Sequence, residues 1–325
     1  MGFVLIAFTA LLAVSAVILP TILVLGITMP FMGTYVRFLG NYTPREGSVQ
    51  LEGEPAPQSE GAKIGYFGMM RRVYRIEGWK GLYKGTMPTL VGTFVIVVLF
   101  APVVAVLAAG HKILPDGRVY LPPTAAWLST LISYALSVIP PLLFIPLEIF
   151  TNRAITTPHV LPAFSPSTAL QTLLSPIEQA WPLRLYAAPG VAVATLLPAL
   201  IVPSYNLLWH LIAPRLPSLF YTIPIGVHFV ISGTIFLTPL HVMRTKLTLQ
   251  RQGEAEPLPA DGALPGDEVI AFRTEEAPYT GLVDCGRSVL REEGWKVLFR
   301  GWWITALGLG LPMIAAAIAP TEIDA

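Results

Sequence analysis

The sequence predicts an all-α membrane protein whose six transmembrane helices fall into three pseudo-repeats. Composition is the first reason: 54% of the 325 residues are apolar, 13% are charged and the mean hydropathy is +0.63. That is more apolar surface than one soluble core of this length needs, and a bilayer is the natural solvent for the excess. The second reason is six long apolar stretches, near residues 3–36, 86–108, 124–150, 189–213, 219–243 and 302–319. Each is close to the about 20 residues that cross a bilayer as a helix. The third is a segment that occurs twice. Glu77-Gly78-Trp79-Lys80-Gly81-Leu82-Tyr83-Lys84-Gly85 returns as Glu293-Gly294-Trp295-Lys296-Val297-Leu298-Phe299-Arg300-Gly301, in one register and each time just before an apolar run.

The first stretch starts at Met1 with no basic flank and no small-residue cleavage site after it, so it is predicted to be a retained span rather than a signal peptide. The connections alternate. Long polar ones cover about 37–85, 151–188 and 244–301, and short ones surround Pro115-Asp116-Gly117 and Pro214-Arg215-Leu216-Pro217. Three helix pairs follow, with repeats at 1–115, 116–216 and 217–325, the middle one degenerate. Eighteen of the Lys and Arg residues lie in the long connections and three, Lys112, Arg118 and Arg215, in the short ones. The positive-inside rule therefore places the long connections in the more negative compartment and both termini opposite.

Amphipathic surface helices are predicted in the first and third long connections. Phe67, Met70 and Tyr74 share one face beside Arg71, Arg72 and Arg75, and Leu282, Gly286, Val289 and Leu290 recur at helical spacing beside Arg287 and Arg291. Segment 157–181 carries Pro158, Pro162, Pro166 and Pro176, too many breakers for a third copy of that helix. Residues 46–60 and 253–268, rich in Gly, Pro and acids, read as disordered insertions.

The nine-residue segment resembles half of the signature of the mitochondrial carrier family, and the resemblance implies the other half at the ends of the odd-numbered spans: a proline, an acid two residues on, and bases five and seven on. Pro146, Glu148 and Arg153 keep the acid and the last base, while Pro239, Arg244 and Lys246 keep both bases with His241 where the acid belongs. Pro30 and Arg37 keep the proline and the last base alone. Each proline removes a helix donor and tilts the lower half of its span inward, so that the three motifs meet.

These prolines, with the aromatic-basic-glycine endings Tyr83-Lys84-Gly85 and Phe299-Arg300-Gly301, resemble the signature of the mitochondrial carrier family. The resemblance covers the chain, strongly in repeats one and three and weakly in repeat two, where Leu185-Tyr186-Ala187-Ala188 stands in the ending's place. It implies six helices around a central cavity, with short amphipathic helices on the matrix side. It further implies a matrix gate in which the acid of each repeat pairs with the first base of the next: Met32 with Thr151, Glu148 with Arg244, and His241 with Tyr35. Only Glu148 with Arg244 keeps both charges, leaving His241 and Tyr35 a hydrogen bond at most. The family's second gate has no counterpart around Ala105, Leu208 or Thr321. Substrate contacts, seven residues beyond the glycine opening each even span, map to Gly92, Thr195 and Gly308, none charged. The two intact endings imply phospholipid sites for cardiolipin, a structural lipid, at Tyr83, Lys84, Gly85, Phe299, Arg300 and Gly301.

Multiply charged anions need fixed cations in a low-dielectric pathway, so nucleotides, phosphate and di- or tricarboxylates are disfavoured as substrates. The net charge of +1 gives no argument for nucleic-acid binding. His111, His159, His210, His228 and His241 show no metal-ligand spacing, and no phosphate loop or activated nucleophile is visible, so an enzyme is not expected. Cys285, alone, is predicted to be an ordinary thiol, although Arg287 and Arg291 stand near it in sequence. The resulting expectation is a monomeric carrier of a small, neutral or amphipathic solute, working by alternating access in the inner mitochondrial membrane with its long loops in the matrix. The alternative is a non-transporting relative in the outer membrane, acting in mitochondrial fusion or protein insertion.

Overall fold

A computed structural model describes residues 2–44, 64–108, 126–158, 166–212, 215, 219–253, 269–273 and 278–318. Among them all regular structure is helical. The predicted spans appear as α1 (Gly2–Gly40), α3 (Thr86–Ala108), α4 (Ala126–Leu143) running into α5 (Ile145–Thr156), α8 (Val191–Ile212), α9 (Leu219–Leu249) and α12 (Trp302–Ile318). Between them lie α2 (Tyr66–Leu82), α6 (Pro166–Leu173), α7 (Pro176–Ala180), α10 (Leu282–Glu292) and α11 (Trp295–Leu298). Four single helices have the length and hydropathy to cross a membrane, and two bent pairs raise the number to six. Of the stretches read as disordered insertions, 46–60 and all of 253–268 except Gly253 lie outside the described residues, as do Ala105's side chain and Thr321.

The stretch at 124–150 is not one helix. It turns by 56° between Leu143 and Ile145, where Pro140, Pro141 and Pro146 withdraw three backbone donors within seven residues. In α9, Pro239 sits inside a continuous helix, as Pro30 does in α1. Helix α9 packs between α8 and α12, α8 also packs on α4, and α3 packs on α1 and α5. The ends of α1, α5 and α9 meet one another, as the three-proline motif predicts.

The buried core lies at that meeting point. Leu39, Ile145, Ile149, Val191, Val242, Leu247, Cys285, Val289 and Leu298 form one cluster there, while mid-span residues such as Ile27, Phe94, Ile231 and Leu311 stay exposed for lipid. The face that α2 packs on the protein lies beside the expected apolar face of Phe67, Met70 and Tyr74. The helix buries Tyr66, Met69 and Val73 and leaves Phe67 and Tyr74 turned out. Phe67 instead stacks on Trp303 of α12, ring centroids 6.2 Å apart. A helix at a membrane surface has one apolar side for protein and another for lipid, and hydrophobic spacing does not tell them apart. In α10, Cys285, Ser288 and Val289 are buried and Leu290 is exposed.

Candidate functional site

Seven residues beyond each motif proline stands a base whose charged head is buried. Arg37 pairs with Glu77 at 2.6 Å, Arg153 with Glu178 at 2.7 Å, and Lys246 with Glu293 at 2.8 Å. A charge so placed is tolerable only with a partner and hydrogen bonds. Arg153 holds the Glu178 carboxylate with two nitrogens, and also donates to the carbonyls of Thr248, Leu173 and Gln250. It thereby satisfies end-of-helix acceptors of α9 from α5. Glu178 accepts in addition from the backbone N–H groups of Ser175 and Gln252. Burial raises its pKa, but the Arg153 pair and those two N–H groups outweigh it and hold the carboxyl below its ordinary range. Arg37 likewise donates to the carbonyl of Gly81.

The sequence named these three bases but not their partners. A signal existed for two of them, since Glu77 and Glu293 open the repeated nine-residue segment. Glu178 had none. The outer copies place the acid eight residues before a left-handed glycine, Gly85 (φ 85°) or Gly301 (φ 68°). In the middle repeat the left-handed glycine is Gly190 (φ 76°), not the expected Ala188, and Glu178 lies twelve residues before it. A 3-10 turn, Pro182–Leu185, takes up the extra length. A Cβ on Gly190 would stand 2.4 Å from the backbone nitrogen of Leu282, so position 190 needs glycine for space as well as for φ.

Of the expected inter-repeat pairs, the structure joins Glu148 of α5 to Arg244 of α9 in an ion pair. Both side chains are about a quarter exposed, so the pair is partly hydrated. The other two positions are not joined. The His241 ring makes no hydrogen bond to another described residue, and Met32 is half exposed. Tyr35 lies over Gly301, where an added Cβ would come 2.7 Å from its ring. Tyr35 thus sits where α1 closely approaches the start of α12.

The three candidate contact positions are unlike one another. Gly92 is packed against Leu147, whose Cδ2 would be 2.1 Å from an added Cβ, so this glycine serves the approach of α3 to α5. Gly308 faces open space. Thr195 is fully buried, with no hydrogen-bond partner for its hydroxyl among the described residues. Counting seven from the left-handed Gly190 gives Leu197 instead, also uncharged.

The bases of the two aromatic-basic-glycine endings are engaged by protein. Lys84 donates to Glu77 at 2.5 Å and to the Thr157 carbonyl at 2.8 Å, at the end of α5. Arg300 donates to the Asn41 carbonyl at 2.6 Å and to the Thr43 hydroxyl, at the end of α1. Each base therefore ties an even span to the odd span of another repeat. Cys285 is buried, and that burial pushes its thiol up to about 12, outweighing the lowering by Lys246. Among the described residues no cluster of three or more His, Cys, Asp or Glu side chains is placed to hold a metal.

The mitochondrial carrier protein family matches residues 48–107 and 218–318, which contain both copies of the nine-residue segment and the Pro239 motif. The chain is similar to Protein MITOFERRINLIKE 1, chloroplastic, of Arabidopsis thaliana, with 27% identity over 255 residues. That alignment covers 75% of this chain and 55% of the relative, so the chain spans about half the length of the curated relative it matches. The match leaves out the middle repeat, where Glu178 and Gly190 are displaced in sequence, and also residues 1–47, which carry Pro30 and Arg37. The middle repeat's Pro146, Arg153 and Glu178 nonetheless rebuild the buried joint seen in the first and third repeats, and the chain belongs to the mitochondrial carrier family.

Proposed function

We propose that this protein is a transporter that moves a small neutral or amphipathic solute by alternating access, with the Glu148–Arg244 pair as the remaining charged contact of the gate on the long-connection side. The observation that carries this reading is that ion pair, formed between α5 and α9 where α1, α5 and α9 converge. Gly92, Leu197, Thr195 and Gly308 supply no fixed cation for a multiply charged anion, which favours a neutral or amphipathic cargo. We place the chain in the inner mitochondrial membrane as a monomer with the long connections in the matrix, from the distribution of Lys and Arg. Cardiolipin is the lipid proposed at the starts of α3 and α12. With Lys84 and Arg300 engaged by protein, the helix-start N–H groups are the donors left for its phosphate.

The test is uptake into proteoliposomes of a panel of neutral and zwitterionic solutes against nucleotides, phosphate and tricarboxylates. Saturable uptake confined to the first group supports the reading. Uptake of a multiply charged anion overturns its cargo class, and absence of any saturable flux favours the non-transporting outer-membrane alternative, to which the two unpaired gate positions point. Protease protection on intact mitochondria tests the orientation, because cleavage between α1 and α2 from outside would exclude a matrix location for that connection.

A further inference from the structure

A short stretch of the connection between α9 and α10 lies across the seam between the first and third repeats. Val269 and Ile270 are buried against Met69, Val73 and Leu82 of α2, with Phe38 of α1 beside them. The next residue is fixed to the end of α1. The Tyr42 N–H donates to the Ala271 carbonyl at 2.9 Å, and the Ala271 N–H donates to Asn41 Oδ1 at 3.0 Å. Two residues further on, Arg273 grips Glu292 of α10 through Nε at 2.9 Å and Nη2 at 2.7 Å, and lies 4.7 Å from the centre of the Tyr279 ring. Glu292 also accepts from the Tyr42 hydroxyl at 3.3 Å, and its neighbour Glu293 accepts from the Thr43 N–H at 3.0 Å.

We infer that residues 269–273 are a clasp that holds the long-connection side closed and must release before that side opens. The inference rests on the alternating-access reading. Opening there requires the ends of α1 and α9 to part, and with them α2, which follows α1, and α10, which follows α9. The clasp belongs to the α9–α10 connection by sequence, yet its apolar residues are seated in α2 and its backbone is paired with the end of α1. It therefore bridges surfaces that must separate. Parting them exposes Val269 and Ile270 to water and breaks both hydrogen bonds of the Ala271 backbone, one to the Tyr42 N–H and one to the Asn41 side chain, so the clasp favours the closed arrangement.

Hydrogen–deuterium exchange on the full chain in nanodiscs tests this, comparing wild type, V269S/I270S, R273Q and E148Q. The clasp variants are expected to speed exchange about tenfold at residues 34–43 and 244–250, a shift of about 1.4 kcal/mol. The α5–α7 joint around Arg153 and Glu178 should keep its wild-type rates. Acceleration spread evenly over all three joints, or none at the α1 and α9 ends, overturns the clasp. Glu148→Gln separates the two ideas. If it loosens the convergent ends while the clasp variants do not, the clasp is wrong and the carrier reading stands. If the clasp variants loosen the seam and Glu148→Gln has no effect, the clasp stands and the gate assignment falls.

Discussion

Glu178→Gln isolates the value of one buried charge. In the native protein its carboxylate is fully buried and receives four hydrogen bonds: two from Arg153, at 2.7 and 3.0 Å, and two from backbone N–H groups, at 3.0 and 3.1 Å. The amide keeps the shape but not the charge, so the Arg153 guanidinium, itself 4% exposed, is left without its counter-ion. Breaking such a pair from one side costs about 3–5 kcal/mol. Unfolding entropy scales with chain length, and for 325 residues that cost corresponds to a melting shift of about 4–7 °C. Arg291→Gln is the control, because Arg291 is 78% exposed and 3.7 Å from Glu292, and such a surface pair is worth about 0–1 kcal/mol. The assay is thermal unfolding of the purified protein in nanodiscs across pH. Because the folded-state pKa of Glu178 lies below its ordinary value, its contribution is fully present above about pH 4.3 and fades as pH falls through the folded value. The gap between wild type and Glu178→Gln should therefore narrow only in strong acid. A neutral-pH shift no larger than that of Arg291→Gln refutes the buried-pair argument.

Further outcomes follow from the same contacts. Glu148→Gln and Arg244→Gln should each destabilise the protein, and the double variant should cost less than their sum by about 0.5–3 kcal/mol; additive melting shifts count against a coupled pair. Cys285 should resist maleimide in the folded protein at pH 8 and react on denaturation, since its thiol is buried and pushed up to about 12; rapid native labelling contradicts this. Gly190→Ala should abolish folding or lower the melting temperature far more than Gly78→Ala, because both have positive φ but only Gly190 also meets the backbone of Leu282. Lys84→Ala should lower stability by a similar amount with and without cardiolipin, because its ammonium group holds Glu77 and the end of α5; a shift seen only with cardiolipin would return that base to the lipid.

Much of the fold was legible because a bilayer demands long apolar runs. The boundaries of α3 and α8, and the convergence of α1, α5 and α9, follow from hydropathy and the spacing of Pro30, Pro146 and Pro239. The proline cluster at 140, 141 and 146 was visible too, but whether it kinks a span or divides it depends on packing around Phe144. The face of α2 that packs on protein, Tyr66, Met69 and Val73, was not legible, because Phe67 and Tyr74 beside it are also apolar. At the site, Glu148 with Arg244 could be paired by repeat arithmetic alone. The middle repeat carries extra residues between Glu178 and Gly190, so that counting from Gly190 gives Leu197 where counting from Ala188 gives Thr195. The contact of residues 269–273 with α2 was invisible to any local pattern, since it joins segments about 200 residues apart with no shared periodicity.

The most direct measurement is solute flux through proteoliposomes carrying a Glu148→Cys/Arg244→Cys variant in a Cys285→Ala background, with and without a short reductant-cleavable thiol cross-linker. The reduced variant should transport the solute identified by the uptake panel, cross-linking should stop it, and reductant should restore it, because the proposed alternating-access cycle parts the ends of α5 and α9. Flux that continues at full rate with positions 148 and 244 covalently joined would show that this side never opens by separating those helices, and would contradict the account.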